Sequence, residues 1–204
     1  MSGFDFIFAL FSLVLGLAIT EMLGGFAQVM KLHARARAGR AKDVRVGWLT
    51  PLLGVLVILN QLMFWNTAYT VRETMPYSYF TLLGVVVFVG AYYLFSALVF
   101  PSEPEEWPDF DDYYDQHNRL ILGGMFIVNM VMNFGTAPYR KLTAEQQAIG
   151  DSTVGLYLLA GAALTLVFTV TLIFVRNRMA NLLLLIGLIA ITLALAVAVA
   201  VIGF

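Results

Sequence analysis

Apolar residues fall along this chain in six long runs, at about 6–30, 49–70, 79–100, 119–136, 153–175 and 181–203, separated by short polar connections. A helix needs about 20 apolar residues to cross a hydrocarbon core of about 30 Å, and the runs have roughly that length. The pattern predicts an all-α integral membrane protein in which residues 1–204 form a single transmembrane domain of six spans. Punctuation supports these boundaries. Pro51 suits the first turn of the second span, where its missing N–H costs nothing. Pro101 and Pro104 close the third span. Trp48 and Trp107 sit at predicted membrane boundaries, where indoles concentrate.

Composition agrees with the pattern. The chain has 204 residues, of which 60% are apolar and 12% charged, whereas a water-soluble domain carries about 25% charged residues. The first run is not built as a cleaved signal. "MSGFDF" has no basic n-region, and no small-x-small cleavage pattern follows. It is expected to remain as a helix.

Cysteine is absent, which excludes disulfides, thiolate metal sites and cysteine nucleophiles. Two histidines, His33 and His117, do not suit a bis-histidine haem. There is no G-x-S-x-G, no H-E-x-x-H and no phosphate-cradling glycine loop. The sequence therefore points away from an enzyme and predicts no cofactor and no metal.

Charge is distributed unevenly. Lys31, Arg35, Arg37, Arg40, Lys42, Arg45, Arg119, Arg176 and Arg178 fall on one side of the predicted spans, and Arg72, Arg140 and Lys141 on the other. The bias places the basic side in the cytoplasm. Both termini are then expected on the non-cytoplasmic side of a bacterial cytoplasmic (inner) membrane. The basic loop 31–45 reads as a topology signal in contact with anionic lipid headgroups, not as a nucleic-acid module. The acidic loop between Glu103 and Asp115 carries seven carboxylates on the same side. It is expected to lie against the basic loop; its spacing matches no calcium-binding pattern. "DDYYDQHNR" is expected to form a short interfacial helix ahead of the fourth span.

An internal correspondence runs through the spans. At an offset of 69, Leu53, Gly54, Asn60, Met63, Thr67 and Ala68 match Leu122, Gly123, Asn129, Met132, Thr136 and Ala137. Gly84, Gly90 and Ala91 match Gly155, Gly161 and Ala162 at 71. Coincidence among apolar helices competes with a parallel repeat, in which spans two and three superpose on spans four and five.

Depth can be counted at about 1.5 Å per helical residue. Counted from the basic side, Glu21, Asn60, Asn129 and Thr165 all lie roughly 15–18 Å deep. They form a candidate midplane polar cluster, in which a neutral Glu21 is expected to bond to Asn60 or Asn129. Ser12, Gly16, Thr20 and Gly24 make a stripe of small residues beside Glu21, expected to pack against the last span or a neighbouring subunit. Ala190, Ala194 and Ala198 offer a similar ridge. Two readings of the cluster stay open: polar glue between helices, or an ion- or proton-responsive site in a permeation path.

"GLAITEMLGG", with Tyr113-Tyr114 and His117-Asn118-Arg119 closing the acidic loop, resembles a loosely defined, uncharacterised group of small bacterial six-helix hypothetical membrane proteins. That resemblance implies a fold and no activity. "FALFSLVLGLAIT" is more distantly similar to the first helix of bacterial lysosomal-type potassium channels, but Leu13 follows Phe11-Ser12 where that family has Asp. The six-helix, both-ends-out outline is similar to the proton-gated urea channels, without their motifs. The function expected is a small oligomeric channel or carrier for a solute or ion. The alternative is a non-catalytic accessory or assembly subunit of a larger membrane complex. Membrane lipids and further copies or subunits are the partners expected, and nucleic acid is not.

Overall fold

The structure, a computed structural model, describes residues 3–38, 44–140, 144–150 and 152–202. Seven α-helices occur among them: α1 (Gly3–Arg37), α2 (Leu49–Thr70), α3 (Tyr79–Val99), α4 (Phe110–Thr136), α5 (Ala144–Gly150), α6 (Thr153–Phe174) and α7 (Arg178–Ile202). All but the short α5 are long and apolar enough to cross a membrane. Arg40 and Lys42 of the basic loop, Lys141 and both chain ends lie outside the described residues.

Three boundaries differ from the apolar runs, each for a local reason. α1 continues through the basic residues to Arg37, because Lys, Arg and Ala are good helix formers and no breaker intervenes. α4 begins at Phe110, so "DDYYDQHNR" is the first part of α4 rather than a separate helix. Its cap is Asp109, whose Oδ1 accepts from Asp111 N at 2.9 Å. α7 begins at Arg178, with Asn177 Oδ1 accepting from Met179 N at 2.9 Å and Ala180 N at 3.3 Å. Ser78 and Ser152 cap α3 and α6 in the same way.

α1 packs on α3 and α2, and α3 packs on α2 and α4. The inward face of α1 is the row Ile7, Phe11, Leu15, Ala18, Met22, Gly25, Val29 and Leu32, all buried. Their three- and four-residue steps trace one face of a helix. Two glycines let aromatic rings lock this part together: a Cβ on Gly25 would collide with the Phe100 ring, and one on Gly124 with Phe95. The remaining contacts close a ring, α2 on α4, α4 on α6, α6 on α7 and α7 on α2. α3 touches both α2 and α4, whereas α6 touches α4 and α7.

On the basic face, the loops lie side by side. Arg45 N donates to Pro108 O at 2.9 Å, Phe110 N donates to Arg45 O at 3.0 Å, and Arg45 Nη1 stands 3.7 Å from Asp109 Oδ2. Arg178 ties the start of α7 to α4 through Asp112 at 2.5 Å and Asp115 at 2.7 Å. His117 stacks on Tyr113 with ring centroids 4.1 Å apart, and its Nδ1 lies 3.0 Å from Tyr113 O.

Candidate functional site

Asn60 sits halfway along α2 and faces Asn129 on α4. Asn129 Nδ2 donates to Asn60 Oδ1 at 2.8 Å and to Met125 O, one turn back, at 2.9 Å. Tyr92 on α3, fully buried, donates its hydroxyl to Asn129 Oδ1 at 3.3 Å. The backbone oxygen of Tyr92 accepts from Ser96 Oγ at 2.8 Å, and Ser96 Oγ accepts from Gln61 Nε2 at 2.6 Å. One hydrogen-bonded series therefore joins three helices partway along their length, with Gln61 Oε1 left buried and unpaired among the described residues.

The asparagine pair forms part of the wall of a cavity of about 450 Å³ inside the ring of α2, α4, α6 and α7. Across from the pair, α6 contributes Thr165 and Thr169, and α7 contributes Thr192. The remaining lining is mostly Leu, Met and Phe, and includes no ionisable side chain. Thr67, Thr165, Thr169 and Thr192 each donate their hydroxyl to the carbonyl four residues back, at 2.8–3.0 Å. With that proton committed, the hydroxyl oxygens are left with acceptor capacity only.

At one end Asn133 lines the cavity, and its Oδ1 accepts from Arg140 Nη2 at 2.9 Å. Phe64 and Met132 also border a second, more apolar cavity of about 360 Å³, formed where α1–α4 meet near residues 71–85. These two side chains are the shared wall between the chambers.

Comparison with protein-family models, curated proteins and solved structures returns no match.

Of the four residues placed at one depth by counting, the structure brings Asn60, Asn129 and Thr165 to one cavity and leaves Glu21 outside it. Glu21 is exposed and has no hydrogen bond or ion pair among the described residues, so the expected bond to an asparagine is not made. The reason lies in α1 itself: the large apolar side chains take the inward face, and Glu21 falls on its flank. The stripe is likewise turned outward. Gly16, Thr20 and Gly24 are exposed, nothing lies within 4 Å of a Cβ placed on either glycine, and α1 does not pack on α7. Thr20 Oγ1 donates to Gly16 O at 2.8 Å, and Ser12 Oγ accepts from Trp65 Nε1 at 3.2 Å.

Gln61, Tyr92 and Ser96 belong to the polar series and were not singled out from the sequence. Gln61 carried a readable signal, a second amide beside Asn60 in an apolar run. Tyr92 and Ser96 did not stand out among the aromatic and small residues around them. Among the described residues, no three His, Cys, Asp or Glu side chains gather as a metal site would require.

Proposed function

We propose that the chain is a multi-pass membrane protein that conducts or carries a small uncharged solute through the chamber between α2, α4, α6 and α7. The observation supporting this reading is the chamber itself. At about 450 Å³ it falls in the size range of small-molecule sites, whereas a purely structural bundle fills such space with side chains.

The lining selects the chemistry. Threonine oxygens accept and the asparagine pair holds one edge, so N–H and O–H donors on a neutral molecule find partners. An anion finds no cation there and a cation no carboxylate, and an uncompensated charge at that depth costs at least a few kcal/mol. The cation bias supports a cytoplasmic membrane of bacterial type with both termini outside. The Asn60–Asn129 pair, 69 residues apart, is the feature that favours a parallel repeat.

The test is flux. Purified full-length protein in liposomes should accelerate the osmotic response to glycerol, urea or a related neutral solute over protein-free liposomes. Ala162→Phe, which places a ring at the chamber wall on α6, should remove the effect. Equal rates with and without protein across a panel of neutral solutes would sink the reading.

A second reading rests on a different observation, the outward face of α1. A carboxylate on the outer face of an apolar helix is costly against lipid, and glycines beside it permit close helix approach. In this reading the chain is a subunit, covered there by a second copy or by another membrane protein. A monomer in mild detergent, unaltered by Glu21→Leu, would overturn it.

A further inference from the structure

On the basic face the ion pairs fall unequally among the described cations, on Arg45 and Arg178 alone. Arg178 is saturated: Nε and Nη2 reach Asp115 at 2.8 and 2.7 Å, and Nη2 also reaches Asp112. Arg119 and Arg176 make no hydrogen bond or ion pair among the described residues. Both line one cavity of about 270 Å³, formed where the polar start of α4 meets the turn between α6 and α7. Asn118 lines it as well; it is 3% exposed, and its Oδ1 is an acceptor with no hydrogen-bond partner among the described residues. Asp115, the single carboxylate of the lining, is already committed to Arg178.

Two guanidinium groups bordering one small space raise the local concentration of anions there. Phosphate is the anion that suits the planar guanidinium fork, because two parallel N–H donors match two of its oxygens.

The position indicates where that phosphate comes from. Leu120, 59% exposed, directly follows Arg119, and Phe174, 74% exposed, lies two residues before Arg176. The cavity thus lies where the outward apolar surface of the packed pair α4 and α6 gives way to charged residues. A phosphate held there would have an apolar surface directly below it, along Leu120 and Ile127, for acyl chains. Basic pockets at this level between spanning helices bind anionic lipid headgroups.

We infer that Arg119 and Arg176 form a binding site for the phosphate of an anionic phospholipid whose headgroup hydroxyl donates to Asn118 Oδ1, separate from the chamber proposed for the solute. The acyl chains would lie along the outward surface of the packed pair α4 and α6.

The test is native mass spectrometry of the full-length protein, stripped of lipid in detergent and then offered phosphatidylglycerol, phosphatidylcholine or inorganic phosphate. Phosphatidylglycerol should be retained over phosphatidylcholine, and Arg119→Gln/Arg176→Gln should weaken retention about ten-fold or more. Arg72→Gln, on the opposite face, should leave it unchanged. Neither Arg119 nor Arg176 holds another of the described residues, so the double variant should keep its circular dichroism and elution volume. The single exchanges R119Q and R176Q carry the same test if it purifies poorly. Wild-type retention in these variants, or equal retention of phosphatidylcholine, would overturn the site. Full displacement of phosphatidylglycerol by inorganic phosphate would overturn the lipid as its source.

Discussion

Replacing Asn129 with Leu removes the centre of the interhelical polar series, and the size of the loss can be worked from its bonds. Asn129 makes two contacts to other helices, donating to Asn60 at 2.8 Å and accepting from Tyr92 at 3.3 Å. An interhelical hydrogen bond within a bilayer contributes about 0.6 kcal/mol on average and up to about 1.7. Two such bonds give about 1–3 kcal/mol. Leucine also strands the Tyr92 hydroxyl, which is fully buried and is left with no partner, at a further cost of about 1 kcal/mol or more.

Asn60→Leu is milder. It removes one interhelical bond, and Asn129 keeps Met125 O and Tyr92, so about 1 kcal/mol is expected. Because the two residues share a bond, the double variant should cost less than the sum of the singles, by roughly 0.5–1.5 kcal/mol. Reversible unfolding in mixed detergent micelles, followed by far-ultraviolet circular dichroism and tryptophan fluorescence, measures all four corners of the cycle. Strict additivity, or a larger loss for Asn60→Leu than for Asn129→Leu, would refute the assignment of Asn129 as the hub.

Gly25→Ala should destabilise by about 1–3 kcal/mol, because the new methyl group meets the Phe100 ring; Gly16→Ala, with open space around it, should leave the unfolding midpoint of the isolated chain in place. Arg178→Gln, which frees α7 from Asp112 and Asp115, should cost about 1 kcal/mol at low salt and progressively less as salt rises; a salt-independent loss would show that packing, not charge, is at stake. Glu21→Gln should not change solute flux, since Glu21 does not line the chamber; a large effect on flux would move the permeation path to α1.

Depth was readable in the sequence, and azimuth was not. The rise per residue is fixed by helix geometry, so counting from Arg119, Trp48 and Arg176 brought Asn129, Asn60 and Thr165 to one level, and the structure lines one cavity with all three. Which way a side chain points around its helix must come from contrast between faces. In spans that are apolar all round, that contrast is weak. The same depth count therefore put Glu21 with the asparagines although α1 turns it outward. Small residues were equally ambiguous: Gly24 and Gly25 are adjacent, but only Gly25 faces an aromatic ring. The number of helices long and apolar enough to span a membrane followed from length and hydropathy. The early start of α4 did not, because Asp111, Asp112 and Asp115 read as loop until Asp109 is recognised as a cap.

The glycine–phenylalanine interlocks divide the molecule mechanically. Gly25 against Phe100 joins the middle of α1 to the end of α3, and Gly124 against Phe95 joins α3 to α4. Contacts packed this closely transmit force rather than absorb it, so α1, α3 and α4 are coupled at these two points. α6 is held otherwise: Leu172 is its one buried residue among those described, and its neighbours are the walls of an unfilled chamber. Slack of that kind concentrates compliance, and it concentrates it in one arm. If the chamber conducts as proposed, its opening falls to α6, whose end meets the turn at residues 175–177 beside the Arg178 clamp.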